Sequence, residues 1–193
     1  MILQSMMMYD FIKDTFQLQD EECDHLLSIS RKRYVKAGEE ILRPGNKVNR
    51  MFFIEEGLVR GYRIIDGDDI THHFFIEGWF GTDYESFLSN VVGELFMESM
   101  VDSTVYEFNK KSFLDLCDQS ININKIRTAI AEKAYLHMVN RMKDFQIKDL
   151  KERYLNLIER NHHLFNLISQ KHIASYLGVA PQSLSRVKKD LLS

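Results

Sequence analysis

Between Arg33 and Phe75 the apolar positions come in short runs, RKRYVKA, EEIL, MFFIEEG, LVRGYRI and ITHHFF, each rich in β-branched or aromatic residues. Pro44-Gly45, Gly57 and the cluster Asp66-Gly67-Asp68 separate them. Short strands punctuated by turn residues predict a β-roll or small barrel. TVYEF, at Thr104 to Phe108, predicts the closing strand. Ahead of the roll, Asp20 to Ser30 opens with acids and carries Leu26, Leu27 and Ile29, the pattern of a short amphipathic helix packed on the roll. The first eight residues hold four of the nine methionines and are expected to be a frayed end.

The periodicity changes after the roll. Eight of the nine glycines lie between Gly38 and Gly93, the ninth is Gly178, and Glu94 to Leu177 contains neither Gly nor Pro, so long helices are allowed there. Ile123, Ile126, Ile130, Ala134, Met138, Met142 and Phe145 recur at steps of three or four, which predicts one helix from Asn122 to Ile147, ~39 Å long. A second set, Ala129, Leu136 and Val139, projects to the other side, so this helix needs apolar neighbours on two faces. The roll supplies one neighbour, and the same helix of a second subunit supplies the other. A helix buried inside a monomer is the alternative.

The sharpest local pattern is QKHIASYLGVAPQSLSRVKK, Gln170 to Lys189. A helix-turn-helix needs a small residue where its helices touch, here Ala174, and a turn residue able to take positive φ, here Gly178. Apolar groups must fill the angle between the helices, and Ile173, Leu177, Val179, Leu184 and Val187 stand in register for that. Pro181 sits in the first turn of the second helix, where its missing N–H costs nothing, although Ala180 in the N-cap place offers no side-chain acceptor. Pro181, Gln182, Ser185, Arg186 and Lys189 point outward. Gln pairs with adenine edges and Arg with guanine, whereas Ser183, Lys188 and Lys189 suit phosphate oxygens.

Charge supports that reading once it is divided. The 193 residues carry 25 basic and 28 acidic side chains, net −3, which by itself disfavours a nucleic-acid binder. From Met1 to Ala129 the net is −8, and from Ile130 to Ser193 it is +5: an acidic first part is joined to a basic tail. The longest run free of Asp, Glu, Lys and Arg is 14 residues, short of a membrane span, and the start lacks a positive n-region, so a cytoplasmic protein without membrane partners is expected. Cys23 and Cys117 stand 94 positions apart, without zinc or iron–sulfur spacing.

A roll, a long two-faced helix and a C-terminal helix-turn-helix together resemble the Crp/Fnr family of bacterial transcription regulators. KAGEEILRPGNKVNRMFFIEEGLVRGYRI looks like the family's opening roll segment, DSTVYEF like its last roll strand, and QKHIASYLGVAPQSLSRVKKDL like its DNA-reading element. The resemblance implies an α+β chain: a double-stranded β-helix or jelly-roll sensor domain of cyclic-nucleotide-binding type over residues 1–118, a dimerisation helix over 119–147 and a helix-turn-helix domain over 148–193. It also implies a homodimer on a two-fold symmetric double-stranded operator, RNA polymerase as a candidate partner, and base contacts from Pro181, Gln182, Ser185 and Arg186. Only Asp190 to Ser193 follow Lys189, so a reduced β wing is expected.

The effector region departs from the family. Cyclic-nucleotide-binding members carry an FGE-type cassette followed by an arginine-bearing segment; here Phe80-Gly81-Thr82-Asp83 is followed by Val92 to Ser99, with Glu94 and Glu98 and no arginine. A cyclic phosphate there meets the wrong charge, so cyclic AMP is not expected to be the effector. Trp79, Thr82, Tyr84, Glu85 and Ser86 can begin a short helix with N–H groups toward a pocket, and Arg60 and Arg63 can add charge from a strand. These seven are the candidate contacts for a small-molecule effector of unidentified chemistry; no cofactor is implied, and the family's four-cysteine oxygen sensor cannot be built.

Two other classes compete. A cupin-like metal enzyme is suggested by His72, His73 and Glu77, but adjacent strand residues point to opposite faces, which defeats the site and leaves half-exposed strand histidines. Neither G-x-S-x-G, a P-loop nor H-E-x-x-H occurs, so no enzyme is expected. The third class is a ligand-sensing interaction protein that has lost DNA binding, against which Arg186 and the +5 tail argue.

Overall fold

A computed structural model describes residues 8–160 and 167–192. The chain divides into two compact units: the described residues as far as Gly61 with Phe74–Glu132, and Tyr62–His73 with the described residues from Lys133 onward.

The roll has eight strands: β1 Ser30–Val35, β2 Glu40–Leu42, β3 Arg50–Glu56, β4 Leu58–Ile65, β5 Asp68–Ile76, β6 Trp79–Gly81, β7 Phe96–Ser99 and β8 Ser103–Asn109. They form two four-stranded sheets, ordered β1-β8-β3-β6 and β2-β7-β4-β5. β8 lies between β1 and β3, antiparallel to both, with Val105 opposite Arg33 on one side and Ile54 on the other. Met51 to Glu55 of β3 are buried without alternation, the signature of a strand covered on both faces.

Helices provide the outer cover. In α1, Met8–Phe16, Met8 and Ile12 are fully buried, and the ring of Phe11 lies 5.3 Å from that of Phe53 on β3. Phe80, Phe108 and Phe113 extend this aromatic row into α4, Lys110–Gln119. The buried carboxylate of Glu55 accepts the Met8 N–H at 3.1 Å and pairs with Lys32 at 2.6 Å, so the start of α1 is held by a compensated charge. In α2, Asp20–Ser28, Glu22 accepts from the Gln19 N–H and reaches Ser120 and Asn122, which fixes the beginning of α5, Ile121–Ile147. Those bonds hold the Glu22 carboxyl below its ordinary value, the Gln19 backbone bond first among them.

In the other unit, Tyr62–His73 is the far part of the β4–β5 hairpin, turned by Asp66 at φ 52° and Gly67 at φ 88°. Two consecutive positive φ values match the twist of a tight hairpin, which is why Asp-Gly stands there. The rest of α5 follows, then α6 Leu150–Arg160, α7 Gln170–Tyr176 and α8 Pro181–Leu192.

The mixed α and β architecture with its roll is as the pattern predicts, with four elements unforeseen. α1, α4, β6 and β7 were not legible as elements, and Met8 is a core residue at the head of α1 rather than part of a frayed end. Residues 1–7 of that expected end lie outside the described residues, as do positions 161–166 ahead of α7.

Candidate functional site

The C-terminal motif folds as its spacing requires. α7 starts at Ser169, whose Oγ accepts the His172 N–H, and ends in a turn where Gly178 takes φ 69°. The Gly178 N–H donates to Ser175 O and the Val179 N–H to Ala174 O, both at 3.0 Å. Ile173, Ala174, Leu177 and Leu184 are buried between α7 and α8, with Val179 and Val187 half-buried beside them. Any Cβ at position 178 would meet the Phe145 ring at 3.0 Å, so glycine is required there both for its φ and for this close approach.

α8 then presents Pro181, Gln182, Ser185, Arg186 and Lys189 as exposed side chains, while Ser183 and Lys188 are half-buried. Gln182, Ser185, Arg186 and Lys189 follow helical steps of three or four, so they share one face. That face holds two donors suited to base edges and a cation suited to phosphate.

Along α5 the apolar stripe changes character. Ile123 and Ile126 are fully buried in the roll core, Ile130 and Ala134 are partly buried, and Tyr135, Leu136, Met138 and Met142 are more than half exposed. Phe145 is 44% exposed although two cations flank its ring: Arg141 at 5.4 Å and Arg153 at 4.6 Å.

In the roll the candidate effector residues are placed as follows. Trp79 lies on β6, and Thr82 donates its hydroxyl to Arg50 O at 2.8 Å. Tyr84, Glu85 and Ser86 begin α3, Tyr84–Ser89. The helix start is capped from within. Asp83, 4% exposed, accepts the Ser86 N–H at 3.4 Å through Oδ1 and the Glu94 and Leu95 N–H groups at 2.9 and 3.0 Å through Oδ2. The Ser86 hydroxyl donates to Val91 O and accepts from the Val48 N–H. A Cβ at position 93 would come 3.2 Å from Asp83 Oδ2, so Gly93 leaves room for this carboxylate.

Arg60 is 2% exposed and donates to Glu98 at 3.1 Å. The cation absent from the Val92–Ser99 stretch is thus supplied from β4, and it meets Glu98. Arg63 belongs to the other unit and is half-buried. An open cavity of about 750 Å³ is lined by Glu40 to Pro44 and Asn46 to Arg50, and none of the seven candidate effector residues lines it.

The histidines need a correction. His72 is exposed, but His73 is buried rather than half-exposed, with its ring edge-on to His137 at 4.2 Å between centroids. Burial, reinforced by His137, His72, Arg141 and Lys133, pushes the His73 pKa well below the ordinary value. Among the described residues no three His, Cys, Asp or Glu side chains come together as metal ligands, and no helix is long and apolar enough to cross a membrane. Cys23 and Cys117 are buried free thiols, Cys117 pushed up to about 11 by burial.

Sequence reasoning did not find Asp83, the Arg60–Glu98 pair or Arg141. Asp83 carried one usable signal, an acid directly before Tyr84-Glu85-Ser86 in the position of an N-cap.

The class defined by this fold is a cyclic-nucleotide-binding-type roll followed by helices: residues 32–120 match the family model "Cyclic nucleotide-binding domain". No curated protein sequence matches the chain. Among the solved structures that match, three are similar over most of its length. CLP, the c-di-GMP responsive global regulator of Xanthomonas campestris, is 17% identical over 90% of this chain and 92% of its own, with a TM-score of 0.71. FixK2 from Bradyrhizobium japonicum is 19% identical over 84% of each chain, TM-score 0.69. A protein of Eubacterium rectale described as a transcriptional regulator of the Crp/Fnr family is 14% identical over 95% of this chain and 88% of its own, TM-score 0.73. The chain has the Crp/Fnr-type fold.

Proposed function

We propose that the protein is a sequence-specific, DNA-binding transcription regulator of Crp/Fnr type, acting as a homodimer in the cytoplasm and without enzymatic activity. The observation that carries this reading is the α8 face with Gln182, Ser185, Arg186 and Lys189 exposed together on a helix whose opposite side is locked against α7 by Leu184. Arg186 and Gln182 read base edges, Pro181 and Ser185 line the same contact, and Ser183, Lys188 and Lys189 bind phosphates. In this reading the sensor covers residues 1–118, the dimer helix 119–147 and the reader 148–193. The exposed Tyr135, Leu136, Met138 and Met142 of α5 meet the same residues of a second copy, and RNA polymerase is the downstream partner.

The sensing half takes a different ligand class from a cyclic nucleotide, or none. Asp83 already satisfies N–H groups that an anion would use, and Arg60 is already paired with Glu98. CLP responds to c-di-GMP; the charge pattern of this roll argues against that dinucleotide as well as against cyclic AMP. Arg60, Trp79, Thr82, Tyr84, Glu85 and Ser86, which share one unit, remain the positions at which an uncharged effector is tested.

Selection from a randomised duplex pool at several salt concentrations tests the reading. Wild type enriches a two-fold symmetric site, Arg186→Ala loses ~1–3 kcal/mol of discrimination at one base pair per half-site, and Lys189→Ala weakens all sequences alike and lowers the salt slope. A wild type that enriches nothing, or an Arg186→Ala variant that selects the same sites equally well, refutes it.

A further inference from the structure

The connection between β2 and β3 carries a charge opposite to its surroundings. Arg43 to Arg50, RPGNKVNR, holds three cations and no acid, inside a part of the chain whose net charge is −8. Arg43 pairs with Glu40 and Arg50 donates to Glu107 at 3.3 Å, whereas Lys47 is exposed and enters no ion pair among the described residues. Asn46 and Asn49 stand exposed between them. These residues line the open cavity of about 750 Å³ that also borders β2, and β2 is the outer strand of its sheet.

An aliphatic strip lies beside the cations in the same unit. Lys47 and Val92 form an isolated antiparallel bridge, the Gly45 N–H donates to Gly93 O at 3.0 Å and the Gly93 N–H donates to Asn46 O at 2.9 Å. Next to this junction Leu88, Val91 and Val92 are 54%, 47% and 57% exposed. A single exposed aliphatic residue is ordinary, but three on one short connection bordered by cations form a patch. Lys110 Nζ donates to Asn90 Oδ1 at 2.9 Å and adds a fourth cation to the border. The connection is not frayed, because the buried Ser86 donates its hydroxyl to Val91 O at 2.6 Å and accepts the Val48 N–H at 3.0 Å. One side chain thus ties both strips together, and a surface already held in place loses little freedom on binding.

Complementarity sets the occupant. A partner must offer carboxylates to Arg43, Lys47 and Arg50 and aliphatic groups to Leu88, Val91 and Val92. A wholly anionic ligand leaves the aliphatic strip wet, and a wholly apolar one leaves the cations unmatched. An extended peptide meets both demands, since its side chains reach the two strips while its backbone runs beside the outer strand β2. We propose that these six residues form a docking surface for an extended acidic segment of another protein that also carries aliphatic side chains. Neither strip includes a residue of α8 or of the exposed α5 stripe, so the surface is additional to the DNA face and dimer seam proposed above and does not depend on DNA binding.

A displayed library of random peptides, selected on the full chain at low salt, tests the proposal. Wild type should enrich sequences that combine Asp or Glu with Leu, Ile or Val. Binding of one enriched peptide, synthesised with a fluorophore, is then followed by anisotropy. Lys47→Glu should weaken it about fivefold at low salt and less as salt rises. Val92→Ser should weaken it about fivefold at every salt concentration, because an aliphatic contact is lost. Both positions are exposed, so Trp79 fluorescence should stay native in each variant, and Arg31→Glu, at an exposed cation on β1 outside both strips, should bind like wild type. Enrichment of nothing, or of peptides without acidic residues, overturns the proposal. An enriched peptide that binds the Lys47→Glu and Val92→Ser variants as tightly as wild type also overturns it, since that peptide sits elsewhere. Full displacement by millimolar inorganic phosphate makes the cavity a simple anion site, and altered sedimentation of either variant makes the surface a contact between copies; each outcome removes the acidic segment as occupant.

Discussion

Replacing Asp83 with alanine tests whether the roll is held shut by its own carboxylate. Oδ2 accepts the Glu94 and Leu95 N–H groups at 2.9 and 3.0 Å, and Oδ1 accepts the Ser86 N–H at 3.4 Å. Hydrogen bonds to a charged group contribute ~1.5–3 kcal/mol each, so the two short ones set a loss of about 3–6 kcal/mol. The long third bond adds little beyond the weakened cap of α3. Asparagine keeps one acceptor oxygen for the same groups and should lose about half as much. The assay is urea unfolding followed by fluorescence of Trp79, the only tryptophan, which lies on β6 in the same unit as Asp83. The midpoint should fall with an unchanged slope, since the surface exposed on unfolding stays the same. Gly93→Ala should act in the same direction, because its Cβ would crowd Asp83 Oδ2 at 3.2 Å and Val48 Cγ2 at 2.8 Å. An Asp83→Ala protein within 1 kcal/mol of wild type refutes the reasoning, as does wild-type stabilisation by millimolar cyclic AMP.

Three further outcomes are expected. Gly178→Ala should destabilise the α7–α8 pair by ~1–2 kcal/mol for its positive φ alone, more with the Phe145 contact, and amide exchange across α7 and α8 should show it while the roll is unchanged. His73 has a folded-state pKa below that of the unfolded chain, so its contribution is complete above pH ~6.5 and is lost as pH falls below that value. His73→Gln should flatten that acid-side slope by up to ~1.4 kcal/mol per pH unit, and an unchanged slope refutes the assignment. Met138→Glu with Met142→Glu should convert a sedimenting dimer to monomer while Trp79 fluorescence stays native; a dimer that survives both changes places the seam elsewhere.

The sequence made the α7–α8 pair legible almost residue by residue, because two helices joined by a short turn fix positions by local geometry. Ala174, Gly178 and Leu184 each answer a constraint set within twenty residues. Roll strands were legible where runs were long and bounded by glycine, as in β3 and β4, but not β6, whose three residues carry too few alternations to register. α4 was hidden because its N-cap, Asn109, sits at the end of β8 and its apolar positions are few. In the effector region Arg60 was legible as a cation on a strand, but its partner was not, because the sheet brings it to Glu98 from 38 positions away.

That pairing changes what an effector must do. Arg60 is almost wholly buried and its partner Glu98 is one-quarter exposed, so the two charges stabilise one another in a medium less screening than water. A phosphate entering to claim Arg60 would displace a carboxylate that then needs solvent, and one seeking the Glu94 and Leu95 N–H groups would displace Asp83. Breaking a buried pair by removing one partner costs ~3–5 kcal/mol, a figure to be lowered here for the exposure of Glu98. An anion gains at most comparable contacts in return, so its net affinity is small even where it fits. An uncharged ligand displaces neither carboxylate. On the proposed reading the carboxylates of Asp83 and Glu98 disfavour an anion in the roll, so neutral compounds are the class to screen against wild type, with Asp83→Ala as the variant in which an anion should regain access.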